Sequence, residues 1–508
     1  MTGSARLLLV PVLLAQGLFF LFIARHRFVD GDEGFYLLAS RLVLMHKTPY
    51  VDFSYVQAPL LLYVYAGWMK LTAVSWASAR LFSALVTALL GTLLYEEVCH
   101  QTKRWLAGVV AVVLFASSTL VFACFPAVHT FSLGALFLFA AYVIVGRSSA
   151  RSPLWWMGVA GILVGLSVDT RSYLLLLIPL LLWWIYKNSD VRARPVAVFW
   201  FVGGVFAGLL PCLYLFVLSP GAFLFNNLGY HAMRTDAGLI GAWLEKFTVL
   251  LMFFLGGPQG NGIQNSILFF ASIAFIFSTR ERKHPPRLAF QIALALGLVS
   301  LLPTPVYPGY FSLCIPFLLV STIFVVNDLF SFLASRRDRL VAAYGSVALL
   351  AVYLGAAVPD FRKYLVTGEG IATVGRAHDK GTWRLGRIVE VSQAIDQVAS
   401  PGEVVASFWP GYVFQTKATP FPGFENDFAL PISEKLTSQQ RAQYHILSPA
   451  EIESNFAAHV PRIVVLGNQN HFLEEAVGDR FKSSLRAHGY TVLGSIGDTS
   501  IYVCCSKP

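Results

Sequence analysis

Three carboxylates, Asp30, Asp32 and Glu33, stand in the stretch FVDGDEGFY, directly after an apolar segment long enough to cross a bilayer. A charge beside hydrocarbon is costly unless it is wet, paired or used. Two chemistries fit the cluster. Asp is a favoured helix cap that stabilises a helix by about 1 kcal/mol, and the stretch opens a helical pattern, EGFYLLASRLVLMH, that Asp30 or Asp32 can cap. A wet carboxylate can instead act as a general base toward an attacking hydroxyl. The helix it begins carries an apolar stripe of Phe35, Leu38, Ala39, Leu42 and Met45, a pattern that suits a helix lying flat in a membrane interface.

A second polar stretch, HKTPYVDFSYVQAPLLLYVY, adds Asp52, Gln57 and a cluster of tyrosines, with Pro49 and Pro59 at helix boundaries. Further along, His129 stands in FPAVHTF at a span boundary, where a polar core residue is the better reading than a ligand contact. Arg171 follows Asp169 in SVDTRSY, so a local ion pair is the plain alternative to ligand binding. His231 and Arg234 in YHAMRTD are spaced to share a helical face.

The elements that must position these residues are membrane helices. The chain of 508 residues is 56% hydrophobic and 13% charged, with a mean hydropathy of +0.62, outside the range of soluble domains. Each span needs roughly 20 apolar residues. Eleven are predicted, near 6–24, 76–98, 105–122, 129–146, 154–168, 172–186, 196–218, 264–279, 288–303, 310–327 and 340–358.

With the N-terminus on the cytoplasmic side, the inner loops hold Lys103, Arg104, Arg147, Arg151, Lys187, Arg192, Arg194, Arg280, Arg282, Lys283, Arg287, Arg336, Arg337 and Arg339 against Asp190, Glu281 and Asp338. That excess accounts for the net charge of +10 without any nucleic acid partner. Arg25 and Arg27 oppose the rule, which suggests a local use for them. The first segment lacks a small-x-small cleavage site and reads as a retained span. The six cysteines show no disulfide framework or zinc spacing.

The expected fold class is therefore a mostly α integral membrane protein: a membrane domain over 1–358 with an amphipathic outer first loop, and a small extracytoplasmic α/β domain over 359–508. The tail has ordinary charge density, 14 Lys and Arg against 15 Asp and Glu. EVVASFWP and PRIVVLGN read as buried strands, SPAEIESNFAAH as a Ser-capped helix, and HGYTVLGSIGDTSIYVC as a terminal hairpin. The segment FFLGGPQGNGIQN reads as a break or re-entrant piece lining an outer cavity.

The Asp-Glu pair in a first loop, the helix after it, then PY-x-D and x-P-L-x-x-Y together resemble the GT-C glycosyltransferases of the protein O-mannosyltransferase and lipid A aminoarabinose-transferase type. The resemblance implies an inverting sugar transfer from a polyprenyl-phosphate donor at the outer face. Asp32 matches the catalytic Asp, followed by Glu33 and with Tyr36 at a family aromatic; Glu33, Tyr36, Asp52 and Gln57 would shape the sugar pocket. The leaving phosphate wants cations, and Arg suits it because its fork donates two hydrogen bonds. Arg171 and Arg234 are the candidates, with Arg80, Arg25, Arg27 and Lys246 behind them.

The chain departs from the family in two places. Gln57-Ala58-Pro59 replaces a Glu-Lys-Pro, and Tyr307 and Tyr310 in PTPVYPGYFSLCIP stand where a basic residue is common. Asp30 and Asp32 spell the D-x-D that accompanies a divalent metal in oligosaccharyltransferases of the same superfamily, but two carboxylates make a thin cation site, so a divalent metal is left open but not favoured and no other cofactor is called for.

The partners expected are thus the donor lipid, an acceptor that is a glycolipid, glycan or protein, and the bilayer of the inner membrane. Two rivals predict other things. A transporter or flippase should place ionisable groups mid-span and show related halves. A non-catalytic assembly subunit should tolerate loss of Asp32.

Overall fold

The computed structural model describes residues 3–504 apart from 149–152, 235–237, 258–259, 274–284, 334, 378 and 468–474. Of the predicted inner basic residues, Arg151, Arg280, Arg282 and Lys283 lie outside the described residues. Two compact units are present. One comprises Met1–Ala24, Leu81–Pro211 and Ala237–Val366, the other Arg25–Arg80, Cys212–Asp236 and Thr367–Pro508.

The first unit is helical. Five described helices are long and apolar enough to cross a membrane: Ala5–His26, Trp76–Thr102, Thr130–Arg147, Pro308–Phe332 and Arg336–Thr367. Arg194–Gly208 and Leu210–Leu218 form a sixth, bent by 52°. Shorter apolar helices occupy other predicted spans, among them Trp105–Ser117, Trp155–Thr170, Gly262–Ile273 and Pro285–Val299. The helix Gly238–Leu255 was not set apart by the sequence pattern, because Glu245 and Lys246 interrupt its apolar run.

Close approach and satisfied breaks hold this unit together. Gly161 and Gly165 on Trp155–Thr170 face Gly204 and Gly208 on Arg194–Gly208, and a Cβ on any of them would collide with the other backbone. Such small-residue seams let apolar helices gain dispersion contact where no water drives association. The chain breaks between Trp105–Ser117 and Thr119–Cys124, and Gln264 repairs the break: Nε2 donates to the Ser117 and Tyr353 carbonyls at 2.9 and 3.0 Å, and Oε1 accepts from Thr119 N at 2.9 Å. Asn265 and Ser266 likewise bond the Phe253 and Phe254 carbonyls. Asn261, Gln264 and Asn265 of FFLGGPQGNGIQN thus serve backbone groups, which have to be satisfied internally at membrane depth. Arg147 is clamped by Glu96 and Glu97 at 2.7–2.9 Å.

The second unit contains the tail and its sheet. Strands β1 (Val404–Ser407), β2 (Thr419–Pro420), β3 (Ile463–Leu466), β4 (Thr491–Ile496) and β5 (Thr499–Val503) run in the order β2-β1-β3-β5-β4. The β1 pairs with β2 and β3 are parallel, and β5 lies antiparallel between β3 and β4. Both predicted strands and the hairpin appear. The predicted helix is Pro449–Ala457, closed by a Ser448–Glu451 capping box.

The helix Gly31–Leu44 is also built into this unit. Eleven of its fourteen residues are buried, so it does not present an apolar stripe along an interface. Trp409 explains the difference. Its indole Nε1 donates to the Gly31 carbonyl at 2.8 Å, and its ring stacks on Trp76 and meets Trp383 edge-on. At the other end, the buried Arg41 donates to the carbonyls of Val413, Phe414 and Ala418 at 2.7, 3.2 and 2.8 Å.

Candidate functional site

The acidic cluster divides by role. Asp30 is the N-cap of Gly31–Leu44: its side chain accepts from Asp32 N, and the Glu33 side chain reaches back to Asp30 N at 2.9 Å, closing a capping box. Asp30 also pairs with Arg27 at 3.4 Å. Glu33 is fully buried between two guanidinium groups. Arg80 binds it by a fork, Nε to Oε2 at 2.9 Å and Nη2 to Oε1 at 2.6 Å, and Arg27 reaches Oε1 at 3.2 Å. Arg80 also donates to the Arg27 and Phe28 carbonyls, and Arg27 Nη1 to the Phe28 carbonyl. Arg27, one of the two exceptions to the inner-loop charge rule, thus has its use here as a counter-ion.

Asp32 sits at the second helical position, half-buried, where the partial positive charge of the helix N-terminus favours an anion. One turn on, Phe35 stacks on Tyr55 at 5.0 Å and takes the edge of Phe428 at 5.0 Å. Asn426 donates to Ser54 Oγ at 3.0 Å, and Ser54 donates to Asn226 Oδ1 at 2.8 Å, a polar chain joining first-loop, middle and tail segments of the unit.

Between Asn426 and Phe428 comes Asp427, which no sequence signal pointed to. Its Oδ1 is buried without a hydrogen-bond partner. Burial, opposed by its own backbone amide and helped by the charge of Asp32, holds its carboxyl well above the ordinary aspartate range. Asp427 lines a pocket with Ser407, Phe408, Phe424, Asn426 and Leu447.

The other first-loop candidates lie in the same unit. Tyr36 is buried beside Phe35. Asp52 is exposed and accepts from Thr48 N at 2.6 Å, which closes a local turn. Gln57 is half-buried, its carbonyl taking the Tyr50 hydroxyl at 2.6 Å, and His231 meets the adjacent Val56 carbonyl at 3.2 Å. Arg234 lies over the Tyr230 ring at 5.9 Å.

The remaining candidates gather in the first unit. The Arg171 guanidinium lies 4.2 Å from the Phe131 ring centre and 4.9 Å from those of Tyr173 and Tyr310, and its Nη1 donates to Thr130 Oγ1 at 2.8 Å. Its Nε is buried and makes no hydrogen bond. His129 packs on Phe131, and Tyr307 on Tyr310. Phe131, Tyr173 and Tyr310 thus form an aromatic cage around the Arg171 cation, with His129 and Tyr307 packed on two of its rings. No cluster of three or more His, Cys, Asp or Glu suited to a metal occurs among the described residues.

No family model matches the chain, and no curated protein matches it. Solved structures do. ArnT from Cupriavidus metallidurans bound to undecaprenyl phosphate superposes with a TM-score of 0.68 at 13% identity, covering 99% of this chain and 98% of that one. The apo state of the same protein gives 0.66 at 13% identity, with 98% of each chain covered. The chain has the fold of ArnT. It is an integral membrane protein with a small C-terminal sheet. At 13% identity the ArnT likeness carries the fold, and the side chains described above carry the chemistry.

Proposed function

We propose that this chain is a membrane glycosyltransferase that moves a sugar from a polyprenyl-phosphate donor to an acceptor hydroxyl at the outer face of the inner membrane, with its N-terminus cytoplasmic. The observation that carries the reading is the division of labour in DGDE. Asp30 caps and Glu33 neutralises Arg27 and Arg80, while Asp32 is held, half-exposed, at a helix N-terminus. ArnT, whose fold this chain shares, is known bound to undecaprenyl phosphate.

Asp32 takes the proton of the acceptor hydroxyl as its oxygen attacks the anomeric carbon, and the C1–O bond to phosphate breaks on the opposite face, which inverts the centre. Arg171 is suited to the phosphate because the aromatic cage fixes its guanidinium and its Nε has no partner in the protein. Arg234 is the second phosphate candidate. Tyr36, Asp52, Gln57 and His231 are read as shaping the sugar pocket, and Tyr310 as holding Arg171, with Tyr307 and His129 packed behind the cage. Glu33 acts by positioning Asp32.

The test is transfer from radiolabelled polyprenyl-phosphate sugars in membranes with matched expression. Asp32→Asn keeps the size of the side chain and removes the base, so transfer falls by about 10² or more. Equal transfer by Asp32→Asn and wild type would remove Asp32 from the role.

A further inference from the structure

Glu245 and Lys246 interrupt the apolar run of Gly238–Leu255, and the proposed reaction leaves both without a task. Ile240, Trp243, Leu244, Phe247 and Leu251 of the same helix are exposed, a surface suited to lipid. Two charges on such a helix are costly unless they are used. Both find their partners in one stretch of chain. Glu245 Oε1 accepts from Val306 N at 3.0 Å, and Lys246 Nζ donates to the Leu302 carbonyl at 3.3 Å.

That stretch needs help from outside itself. Pro303, Pro305 and Pro308 carry no N–H and bar a regular helix, so few backbone donors are left to fix it. Val306 is buried, and its N–H has to be paired. From Val306 the contacts lead on to Arg171. The Tyr307 carbonyl accepts from Tyr310 N at 3.0 Å, the two rings meet edge-on at 5.7 Å, and Ser300 Oγ donates to the Tyr310 carbonyl at 3.2 Å. The Tyr310 ring is one of the three against the guanidinium, and it packs on Phe131 and Tyr173 at 6.2 Å each. Further along the helix that carries Glu245, Phe253 packs on Phe311 at 4.9 Å.

We propose that Glu245 is a positioning residue for Arg171: by holding Val306 it fixes the loop that sets Tyr310 against the guanidinium, with Lys246 as a second tether. The proposal rests on the reading of Arg171 as the group that holds the donor phosphate. A guanidinium fixed in advance has little freedom left to lose when a phosphate arrives. The tether therefore acts on donor affinity, which appears in KM, and little on the bond-breaking step. Glu245 contributes an acceptor oxygen at the right reach; its charge is secondary, since the group it meets is a neutral amide.

The test places fluorotyrosine at position 310 of the full chain in lipid nanodiscs and follows its fluorine resonance, together with binding of farnesyl phosphate and the transfer assay. Arg171→Gln removes the guanidinium from the ring, so it shifts the resonance and abolishes farnesyl phosphate binding. Glu245→Ala shifts the resonance too, weakens farnesyl phosphate binding and raises the donor KM by about tenfold, with kcat near wild type. Glu245→Gln keeps an acceptor oxygen at the same reach and behaves as wild type. Glu245→Asp keeps the charge, is one methylene short, and behaves as Glu245→Ala.

An unmoved resonance in Glu245→Ala overturns the proposal, and so does Glu245→Gln behaving as Glu245→Ala. A shifted resonance with unchanged affinity for farnesyl phosphate overturns it as well, since Glu245 would then only anchor a loop. If Glu245→Ala does not fold, Glu245→Asp decides, and a wild-type resonance there counts against the proposal. Should the resonances behave as stated while no protein binds farnesyl phosphate, the tether stands and the reading of Arg171 as a phosphate site falls.

Discussion

Glu33 shows how one residue type serves two ends within four positions. Its carboxylate is fully buried and meets both Arg27 and Arg80, so removing its charge leaves two guanidinium groups buried with too little to neutralise them. Breaking a buried pair in this way costs about 3–5 kcal/mol. We therefore expect Glu33→Gln to lower the midpoint of thermal unfolding in detergent far more than Asp52→Asn, whose carboxylate is exposed and serves one local turn. Comparable midpoints would mean that the Arg27–Glu33–Arg80 cluster does not hold the fold. A cap at Asp30 or Asp32 was legible from an Asp ahead of a helical pattern, while the reach of Glu33 back to Asp30 N was not. Nor was the arginine fork, because Arg80 is brought to Glu33 by tertiary packing that no local pattern encodes.

At the scale of the element, the helix Gly31–Leu44 was legible in its start and its period, but its surroundings were not. An apolar stripe facing lipid and one facing a folded domain look alike in sequence; Trp409 and Arg41 decide between them here. Gly34 marks the closest approach. A Cβ there would lie 2.7 Å from the Gly411 backbone and from the Trp409 ring, and neither can yield, since the ring is pinned by its bond to Gly31. Overpacking of this kind costs about 1–3 kcal/mol. Gly34→Ala should accordingly lower the unfolding midpoint and speed proteolysis of the tail, while Gly386→Ala, where a Cβ meets open space, should do neither. Equal behaviour of the two variants would show that this contact is slack.

For the whole molecule, hydropathy located the five described helices long enough to cross a membrane because apolar runs of that length have few other uses, and it did not mark the helix Gly238–Leu255, whose run two charges interrupt. The sheet was legible from its apolar strands, while Asp427 was not, since a lone Asp after Asn reads as turn chemistry. The tail's buried acids also make stability depend on pH in a definite direction. Burial, partly offset by backbone amides and Lys47, pushes Glu425 up to about 7, and its carboxylate accepts from Gly423 N at 2.7 Å. An acid whose pKa rises on folding binds its proton more tightly in the folded chain. Its contribution is full below the ordinary carboxyl range and is lost as pH rises through about 7. For Glu425 the change is about 3 kcal/mol, and Asp427 acts in the same direction. Unfolding of the full chain, followed by tail tryptophan fluorescence from Trp383 and Trp409, should therefore move to lower temperature as pH rises from about 4.5 to about 7. Glu425→Gln, neutral throughout, should flatten that slope without abolishing it, because Asp427 still titrates. A slope identical to wild type would mean that Glu425 is solvated in the folded chain and that its burial contributes nothing.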